Sequence, residues 1–431
     1  MERSVVELLA QGVERYCAGD WAQAVPLLQQ VIAQDPANAI AYHQLGLIAF
    51  QSGQADLASR LIEQAIAADP SDAEYHNNLG VVLNALSRLP AARAAFERAV
   101  ALKPGYVHAF NNLGSVHEAE GRLDEAIEAY RRALAIDPGF VEARDNLDLA
   151  CSKVVPQWHF PMVQDVPRNE AYDQALRRAA PGRDVLDIGT GAGLLALMAA
   201  RAGARHVTTC EAVPLIAAQA RAVIARNGLT DRITLQAKRS DTLVVGTDLP
   251  ERADVLVTET FASGLLSEHV LPTLEHARAH LLTQDATIIP CGAAVHGYLV
   301  GGAALEAHFF VFEVAGFSLA PFNAMAPHKL GMHLDRMQYD VLSDDFDIFR
   351  FDLTQLHFAP ERRMIEVPVR QAGRCVGVAQ WISLQLDAET AYDNRPRPGG
   401  SGINGWMHVL YRFPRADRCR ARQRVAPAGE P

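Results

Sequence analysis

The first third of the chain repeats its pattern of small, apolar and helix-breaking positions every 34 residues. Glycine and alanine suit places where two helices approach too closely for larger side chains, and proline ends the second helix of a pair. The recurring positions are Gly12, Gly46, Gly80 and Gly114; Ala24, Ala58, Ala92 and Ala126; and Pro36, Pro70, Pro104 and Pro138. The pattern predicts four helical hairpins, at residues 5–38, 39–72, 73–106 and 107–140, and a capping helix that completes a domain of residues 1–153.

One such hairpin cannot bury its apolar face alone, so the four units are expected to stack around a shared core and to form a concave groove. The period, the Leu-Gly and Asp-Pro pairs and the central alanines resemble the tetratricopeptide repeat family, whose groove holds peptides. Gln44, Asn78 and Asn112 each stand two residues before a repeat glycine, which predicts a row of carboxamides along the groove. Two interpretations stay open: Asn78 and Asn112 bind the backbone of a substrate peptide, or they are solvated polar positions.

After residue 153 the pattern changes to apolar strands that alternate with helices. Residues 185–188 predict a strand, the glycines of residues 189–193 a turn, and the following residues a helix that ends near Gly203. Further strands are predicted at residues 206–211, 232–238 and 253–259. This alternation is typical of a doubly wound parallel sheet, which binds ligands at the carboxyl ends of its strands. We assign this α/β domain to residues 154–290.

Composition narrows the choice of partners. The 431 residues carry a net charge of −10, which argues against a broad surface for nucleic acid. The six cysteines are widely separated and form no zinc-binding set, so we expect no metal and a reducing, cytoplasmic location. The N-terminal residues do not resemble a secretory signal, and no apolar run is long enough for a membrane span.

Two features of the α/β domain carry candidate chemistry. Gly189, Gly191 and Gly193 form a G-x-G-x-G loop, one residue short of the dinucleotide pattern, and Glu211 follows where a carboxylate can bind ribose hydroxyls. Any adenosine cofactor would satisfy these residues. The second feature is "ETFASGLLSE", which has Glu259 and Glu268 at its ends and a glycine suited to a tight turn at position 264.

The resemblance to known enzymes is more specific. "VLDIGTGAG" with the acid after the second strand resembles the S-adenosylmethionine-dependent methyltransferases. Within them, "WHFPMVQDVPRNEAY", "VTETFASGLLSEHVLPTLEHA" and "IIPCGAAVHGYLV" resemble the protein arginine methyltransferases, in particular the subgroup with N-terminal tetratricopeptide repeats. The resemblance implies S-adenosyl-L-methionine as cofactor and an arginine guanidinium as methyl acceptor. The resemblance to that subgroup implies monomethyl or symmetric dimethyl arginine as the product, and the sequence leaves the asymmetric product open.

The resemblance also assigns cofactor contacts. Arg168 would pair with the methionyl carboxylate, Met162 would lie near the sulfonium, and Asp241 would lie beside the adenine amine. For Asp241 the alternative of a solvated loop acid stays open. The full set of expected cofactor residues is His159, Met162, Arg168, Asp187, Gly189, Gly191, Gly193, Glu211 and Asp241.

For the substrate, the resemblance implies that Glu259 and Glu268 hold the guanidinium. Asp165 and Trp406 match residues that shape the arginine site, but Gly405 stands where the family has a histidine that meets the aspartate. Either His408 supplies an imidazole from another angle, or Asp165 has lost its partner.

The C-terminal part has alternating stretches at residues 364–371, 376–386 and 406–413, which predict antiparallel strands. The family places a β-barrel here, and we expect a shortened barrel over residues 291–413, followed by a disordered basic tail at residues 414–431. Family members often dimerise, so a homodimer is an open expectation. The sequence as a whole predicts an arginine methyltransferase whose repeats recruit a protein substrate; the alternative is a catalytically impaired scaffold that acts through its repeats.

Overall fold

A computed structural model describes residues 4–155, 159–266, 269–399 and 406–419, with the backbone alone for residues 415–419. The chain divides into two compact units, residues 1–156 and 157–431. No helix of the described part is both long and apolar enough to cross a lipid bilayer.

The first unit is built from helical hairpins that match the four predicted repeats. Its helices are α1 (Val5–Cys17), α2 (Trp21–Gln34), α3 (Ala39–Gln51), α4 (Ala55–Ala68), α5 (Ala73–Ala85), α6 (Leu89–Leu102), α7 (Val107–Ala119), α8 (Leu123–Ile136) and α9 (Val141–Val154). Helix α9 follows the fourth hairpin, where the sequence predicts the capping helix.

Each repeat glycine lies opposite a large side chain of the second helix in its hairpin. A Cβ atom at these glycines would lie 2.5 to 2.8 Å from that side chain, closer than two carbon atoms can approach. Only glycine therefore allows the two helices to pack at this spacing. The facing pairs are Gly12 with Leu28, Gly46 with Ile62, Gly80 with Phe96 and Gly114 with Tyr130.

The repeat prolines end the second helices by acting on the residue before them. Asp35, Asp69, Lys103 and Asp137 precede the four prolines, and all have φ between −129° and −140° with ψ between 86° and 97°. The proline ring excludes the helical conformation at the preceding residue, so each helix stops two residues before its proline.

The second unit begins with two helices and a parallel sheet. Its first elements are α10 (His159–Val163), α11 (Val166–Ala179), β1 (Asp184–Ile188), α12 (Leu194–Arg201), β2 (His206–Cys210), α13 (Pro214–Arg226), β3 (Ile233–Gln236), β4 (Ala253–Thr258), α14 (Val270–His280) and β5 (Leu282–Ile289). The strands pair in the order β3-β2-β1-β4-β5, and every pairing is parallel. The strand order reverses between β1 and β4, which is where ligands bind in sheets of this type.

An antiparallel sheet follows. The elements of this region are β6 (Gly292–Gly301), α15 (Ala303–Phe309), β7 (Glu313–Val314), β8 (Phe317–Ser318), β9 (Lys329–Met332), β10 (Asp340–Val341), β11 (Phe346–Asp352), β12 (Gly373–Gln385), β13 (Ala391–Asp393) and β14 (His408–Cys419). Strands β7 and β8 pair with each other in a separate two-stranded sheet. The main path runs β10-β6-β12-β14-β9, with β11 on β6 and β13 on β12. The described strands leave β9 and β10 unpaired with each other, so this sheet is an incomplete barrel.

Two sequence-based expectations for this region differ from the structure. Residues 364–371 form no strand; Val369 makes an isolated bridge to Ser343, because Pro368 lacks an amide donor and Met364 is 97% exposed. Residues 414–419, expected in the disordered tail, extend β14, where Arg418 pairs with Arg374 of β12. Backbone pairing to a long neighbouring strand outweighs the basic composition of this stretch. Residues 420–431 lie outside the described part.

Candidate active site

Three strand ends lie level in the parallel sheet. Ile188 of β1 pairs with Cys210 of β2 on one side and with Thr258 of β4 on the other. The next residues in the chain are Gly189, Glu211 and Glu259, so the register brings three sequence-predicted site residues to one edge.

A cavity of about 320 Å³ opens at this edge. It is lined by all the expected cofactor residues except Asp187 and Gly193, and by Glu259. Its lining includes His159, Met162, Arg168, Gly189, Thr190, Gly191, Glu211, Lys238, Arg239, Asp241, Glu259, His269 and Thr273.

The glycine loop has a shape that other residues cannot adopt without strain. Gly189, Gly191 and Gly193 have φ of 86°, 51° and 86°. A Cβ at Gly189 would lie 2.6 Å from Thr260 Cγ2. The amides of Gly189 and Thr190 both donate to the carbonyl of Cys210 at 3.1 Å, which ties the loop to the end of β2.

The Glu211 carboxylate lies beside this loop. One oxygen accepts from the amide of Gly191 at 3.1 Å and the other from the amide of Val213 at 2.9 Å, and the residue is 9% exposed. Two amides fix its orientation, and a carboxylate has further acceptor positions for two hydroxyl groups.

Asp187 supports the loop from beneath and does not reach the cavity. It is fully buried, and Thr209 Oγ1 donates to its Oδ2 at 2.7 Å; Thr209 in turn lies 2.5 Å from the hydroxyl of Thr190 in the loop. Burial raises the pKa of Asp187 to about 7, although the hydrogen bond from Thr209 acts in the opposite direction. Asp187 is thus absent from the cavity lining, and its expected role in cofactor binding stays a prediction.

Helix α11 carries the cation of the site. Asp165 caps its N-terminus by accepting from the amide of Arg168 at 3.2 Å, and the Arg168 Nη1 donates to the carbonyl of Met162. Arg168 is 3% exposed, and its Nη2 lies 3.4 Å from Glu259 Oε2. Its Nε is buried without a hydrogen-bond partner in the described part of the chain.

His159 and Asp241 both line the cavity, but the first is half-buried and the second is paired with a neighbouring arginine. Burial, aided by the nearby Arg168, lowers the pKa of His159, so the imidazole at the glycine loop is neutral at pH 7. Asp241 lines the cavity, but its carboxylate pairs with Arg239 at 2.8 Å and its side chain is 45% exposed. This arrangement favours the solvated interpretation of Asp241, which remains part of the cavity lining.

The glutamate loop turns at a residue that the sequence did not indicate. The amide of Leu265 donates to the carbonyl of Ala262 at 2.7 Å, and Leu265 itself has φ of 68°, whereas Gly264 has no positive φ. The Leu265 side chain is fully buried, and this burial offsets the backbone strain. Glu259 precedes the turn with its side chain 6% exposed, and Glu268 lies outside the described residues.

Among the described residues, Asp165 bonds to a tyrosine and not to His408. Tyr392 donates its hydroxyl to Asp165 Oδ2 at 2.6 Å, and Trp406 packs edge-on against the Tyr392 ring with centroids 5.8 Å apart. His408 lies elsewhere, with Nε2 2.8 Å from the carbonyl of Asn394 and Nδ1 accepting from the amide of Leu334. Gly405 lies outside the described part. Tyr392 could not be predicted from the sequence, because no motif marks it and 227 residues separate it from Asp165.

In the repeat unit the expected carboxamides bond to neighbouring repeats. Asn78 Nδ2 lies 2.9 Å from His43 Nε2, and Asn112 Nδ2 donates to Asn77 Oδ1 at 3.1 Å. Each bond spans 35 residues, the length of one repeat plus one. Both asparagines are half-buried, and Asn78 Oδ1 also accepts from Asn77 Nδ2 at 3.2 Å, so the array itself uses part of the hydrogen-bonding capacity of each amide.

These features fit one class of enzyme. The parallel sheet, the strained glycine loop after β1 and the oriented acid after β2 form a site for the nucleoside of a cofactor. The buried, incompletely bonded guanidinium of Arg168 at the same cavity fits a carboxylate. Together they define the site of an S-adenosylmethionine-dependent methyltransferase, preceded in the chain by tetratricopeptide repeats.

Comparison with known proteins makes the class specific. The tetratricopeptide repeat model matches residues 9–58, 43–107 and 86–139, and the ribosomal protein L11 methyltransferase (PrmA) model matches residues 170–310. An arginine N(omega)-methyltransferase of Streptomyces achromogenes subsp. streptozoticus is 38% identical over 256 residues, covering 59% of this chain and 71% of the relative. The chain belongs to the arginine N-methyltransferase family.

Other relatives agree over shorter shares of their length. Protein arginine N-methyltransferase 7 of Oryza sativa subsp. indica is 34% identical over 260 residues, covering 55% of this chain and 36% of the relative. The chain thus spans about a third of that protein. The fold is similar to that of the Trypanosoma brucei PRMT1 enzyme-prozyme heterotetrameric complex with AdoHcy, with a TM-score of 0.52, 21% identity, and coverage of 63% of this chain and 86% of that one.

Proposed function

We propose that this enzyme transfers a methyl group from S-adenosylmethionine to the guanidinium of an arginine within a polypeptide. The observation that carries the proposal is the 3.4 Å contact of Arg168 with Glu259. It joins, in one cavity, the residue expected to bind the cofactor carboxylate and a residue expected to bind the substrate guanidinium.

The residues of the cavity suit both molecules. Arg168, Glu211 and the glycine loop would hold the cofactor's carboxylate, ribose and adenosine. When bound, S-adenosylmethionine supplies a methyl group on a positively charged sulfur. Met162 and the neutral imidazole of His159 add no net charge to this end of the cavity, and Glu259, 3.4 Å from Arg168, offsets the charge of that guanidinium.

Glu259 supplies the chemistry that the acceptor needs. A guanidinium is protonated at neutral pH and its nitrogen lone pairs are delocalised, so it is a poor nucleophile. A buried carboxylate orients the group and draws its positive charge toward one edge, which leaves a terminal nitrogen better able to attack. Glu268 is proposed as a second carboxylate for the same guanidinium.

A polypeptide substrate is supported by the repeat unit. Residues 1–155 contain 20 acidic and 12 basic side chains, so most of the net negative charge of the protein lies there and favours association with basic segments. The remaining polar atoms of Asn78 and Asn112 are proposed to bind the peptide backbone. Alanine at both positions should raise the KM of a peptide and leave the KM of free arginine unchanged.

The test is methyl transfer with labelled cofactor to arginine-rich peptides, followed by mass analysis of acid hydrolysates. We expect methylarginine from the wild-type protein and none from Glu259→Gln. A wild-type protein that binds cofactor but labels no arginine would instead support the alternative of an impaired scaffold. The bond from Tyr392 to Asp165 removes one argument for that alternative, because the aspartate has a partner.

Free arginine is a second candidate substrate, favoured by the name of the Streptomyces relative. Competition between free arginine and an arginine-rich peptide in one reaction separates the two. A kcat/KM at least tenfold higher for the peptide supports the polypeptide proposal, and the reverse order supports the amino acid.

Assembly and location are further proposals. Apolar side chains are exposed along one segment after α15, at Phe312, Val314, Phe317, Phe322 and Met325, and this supports a homodimer through that segment. Sedimentation of the wild-type protein and of Phe317→Asp tests it, since loss of a dimer in the variant is the expected result. The widely spaced cysteines support the cytoplasm as the location.

A further inference from the structure

Tyr392 connects the antiparallel sheet to the cofactor end of the cavity through one carboxylate. Asp165 accepts at Oδ2 from the Tyr392 hydroxyl at 2.6 Å and at Oδ1 from the amide of Arg168 at 3.2 Å. Tyr392 belongs to β13, and Asp165 caps α11. One carboxylate thus bonds to both elements.

These groups are almost fully shielded from water. Asp165, Tyr392 and Trp406 are 3%, 4% and 3% exposed. A hydrogen bond to a charged acceptor is stronger in such surroundings than in water, and its loss leaves a buried carboxylate short of a donor. The edge-on contact with Trp406 fixes the plane of the phenol ring and therefore the direction of its hydroxyl.

We propose that Tyr392 is a positioning residue for methyl transfer: its hydroxyl holds Asp165, and through it the first turn of α11, so that the Arg168 side chain stays directed into the cavity. This inference rests on the proposed function for its catalytic consequence. Tyr392 does not line the cavity, so it acts through Asp165. It occupies the role for which the sequence suggested a histidine.

A phenol differs from an imidazole in its response to pH. Burial, and then the carboxylate of Asp165, raise the pKa of Tyr392 far above neutrality; Glu259 acts in the same direction and Arg168 in the opposite one. The hydroxyl therefore keeps its proton, and its bond to Asp165, throughout the range in which an imidazole would titrate.

The experiment compares Tyr392→Phe with Tyr298→Phe in the full-length protein. Both changes remove a buried hydroxyl from the antiparallel sheet, but Tyr298 bonds to Tyr339 at 2.7 Å and to the carbonyl of Pro396 at 2.9 Å, away from Asp165. The measurements are kcat, KM for each substrate, the Kd for S-adenosylhomocysteine by calorimetry, and the urea midpoint.

We expect Tyr392→Phe to lower kcat/KM for the cofactor roughly tenfold and to weaken S-adenosylhomocysteine binding several-fold. Tyr298→Phe should change both by less than twofold at a similar urea midpoint. Equal losses in the two variants, or wild-type constants for Tyr392→Phe, would overturn the inference. If the wild-type protein methylates no arginine, a selective loss of S-adenosylhomocysteine affinity in Tyr392→Phe still supports it, which separates its failure from that of the proposed function.

A double-mutant cycle tests whether the effect passes through Asp165. Asp165→Asn keeps an oxygen that can cap α11 but removes the charge that strengthens the bond from Tyr392. The Tyr392→Phe change should therefore cost at least threefold less cofactor affinity in the Asp165→Asn background than in the wild type. Additive effects of the two substitutions would show that Tyr392 acts by another route.

Discussion

Arg168 and Glu259 are joined across the cavity at 3.4 Å, with side chains 3% and 6% exposed. The cation comes from the helix that precedes the parallel sheet, and the acid from the end of its fourth strand. Because both charges are buried, removing one leaves the other short of its counter-charge. The cofactor end and the arginine end of the site are therefore electrostatically coupled. We expect a substitution at either residue to change the binding of both the cofactor and the arginine substrate, but to different extents.

Replacing Glu259 with Gln is expected to lower kcat/KM for the arginine substrate at least 100-fold. The amide keeps the size of the side chain but does not neutralise a guanidinium. Cofactor affinity, measured by calorimetry, should change by only a few-fold. Glu251→Gln, at an exposed position before β4, is the matched control. Transfer at near wild-type rate in Glu259→Gln would remove this residue from the chemistry.

Replacing Arg168 with Lys is expected to weaken cofactor binding at least tenfold. An ammonium group retains the charge, but it cannot present two parallel N–H groups to a carboxylate. Arg201→Lys, at a side chain 64% exposed on α12, should leave the affinity unchanged. Equal Kd values for wild type and Arg168→Lys would mean that the cofactor carboxylate binds elsewhere.

The stability of the second unit is expected to fall as the pH rises from about 4 to about 7. Asp187 has its pKa raised from 3.8 to about 7 in the folded protein, so between these values the folded state binds a proton that the unfolded state releases. This contribution is fully present below pH 3.8 and is lost as the pH passes 7, a change of about 4 kcal/mol. Urea midpoints at pH 5.5 and 8 measure it.

Asp187→Asn should reduce that pH dependence, because an amide does not ionise. The exposed Asp285→Asn on β5 serves as control and should keep the wild-type slope. An unchanged slope in Asp187→Asn would assign the effect to another group.

Replacing Gly114 with Ala is expected to destabilise the repeat unit by about 1–3 kcal/mol, because the new Cβ would lie 2.5 Å from the Tyr130 ring. Gly105→Ala is the matched control, since that position has open space and no positive φ. Helical circular dichroism during urea unfolding reports the difference. If both variants unfold at the same midpoint, the close helix approach does not depend on glycine.

The fold could be predicted where its cause is local in sequence. Each repeat glycine packs against a side chain 16 residues later in the same hairpin. Because every unit has this contact at the same spacing, spacing alone identifies the repeats. The parallel strands were predictable for a similar reason, since each is a short apolar run followed by a turn. The stretch at residues 364–371 misled because its burial alternates as in a strand, yet Pro368 lacks an amide donor and the backbone forms only the isolated bridge of Val369 to Ser343.

The site residues that directly follow strands could be predicted from the sequence. Those that depend on contacts between distant segments could not. Gly189, Glu211 and Glu259 directly follow β1, β2 and β4, so the order of the strands places them together. Tyr392 belongs to the antiparallel sheet and contacts Asp165 at the N-terminus of α11, and no motif near Tyr392 indicates this contact. The resemblance placed Asp187 among the cofactor residues, but its side chain is fully buried beneath the glycine loop, where it accepts from Thr209.

The level ends of β1 and β4 have a consequence for how the enzyme tolerates change. Glu259 owes its position to the pairing of Ile188 with Thr258. One residue inserted into β4 would displace Glu259 by about 3.3 Å and turn its side chain to the opposite face of the sheet. Most of the apolar positions of the sheet would stay in place. Insertions in the surface turns between repeats carry no such penalty. Length can therefore vary in those turns but not along the hydrogen-bonded rungs of this sheet, where an insertion would misplace the acid even if the sheet still formed.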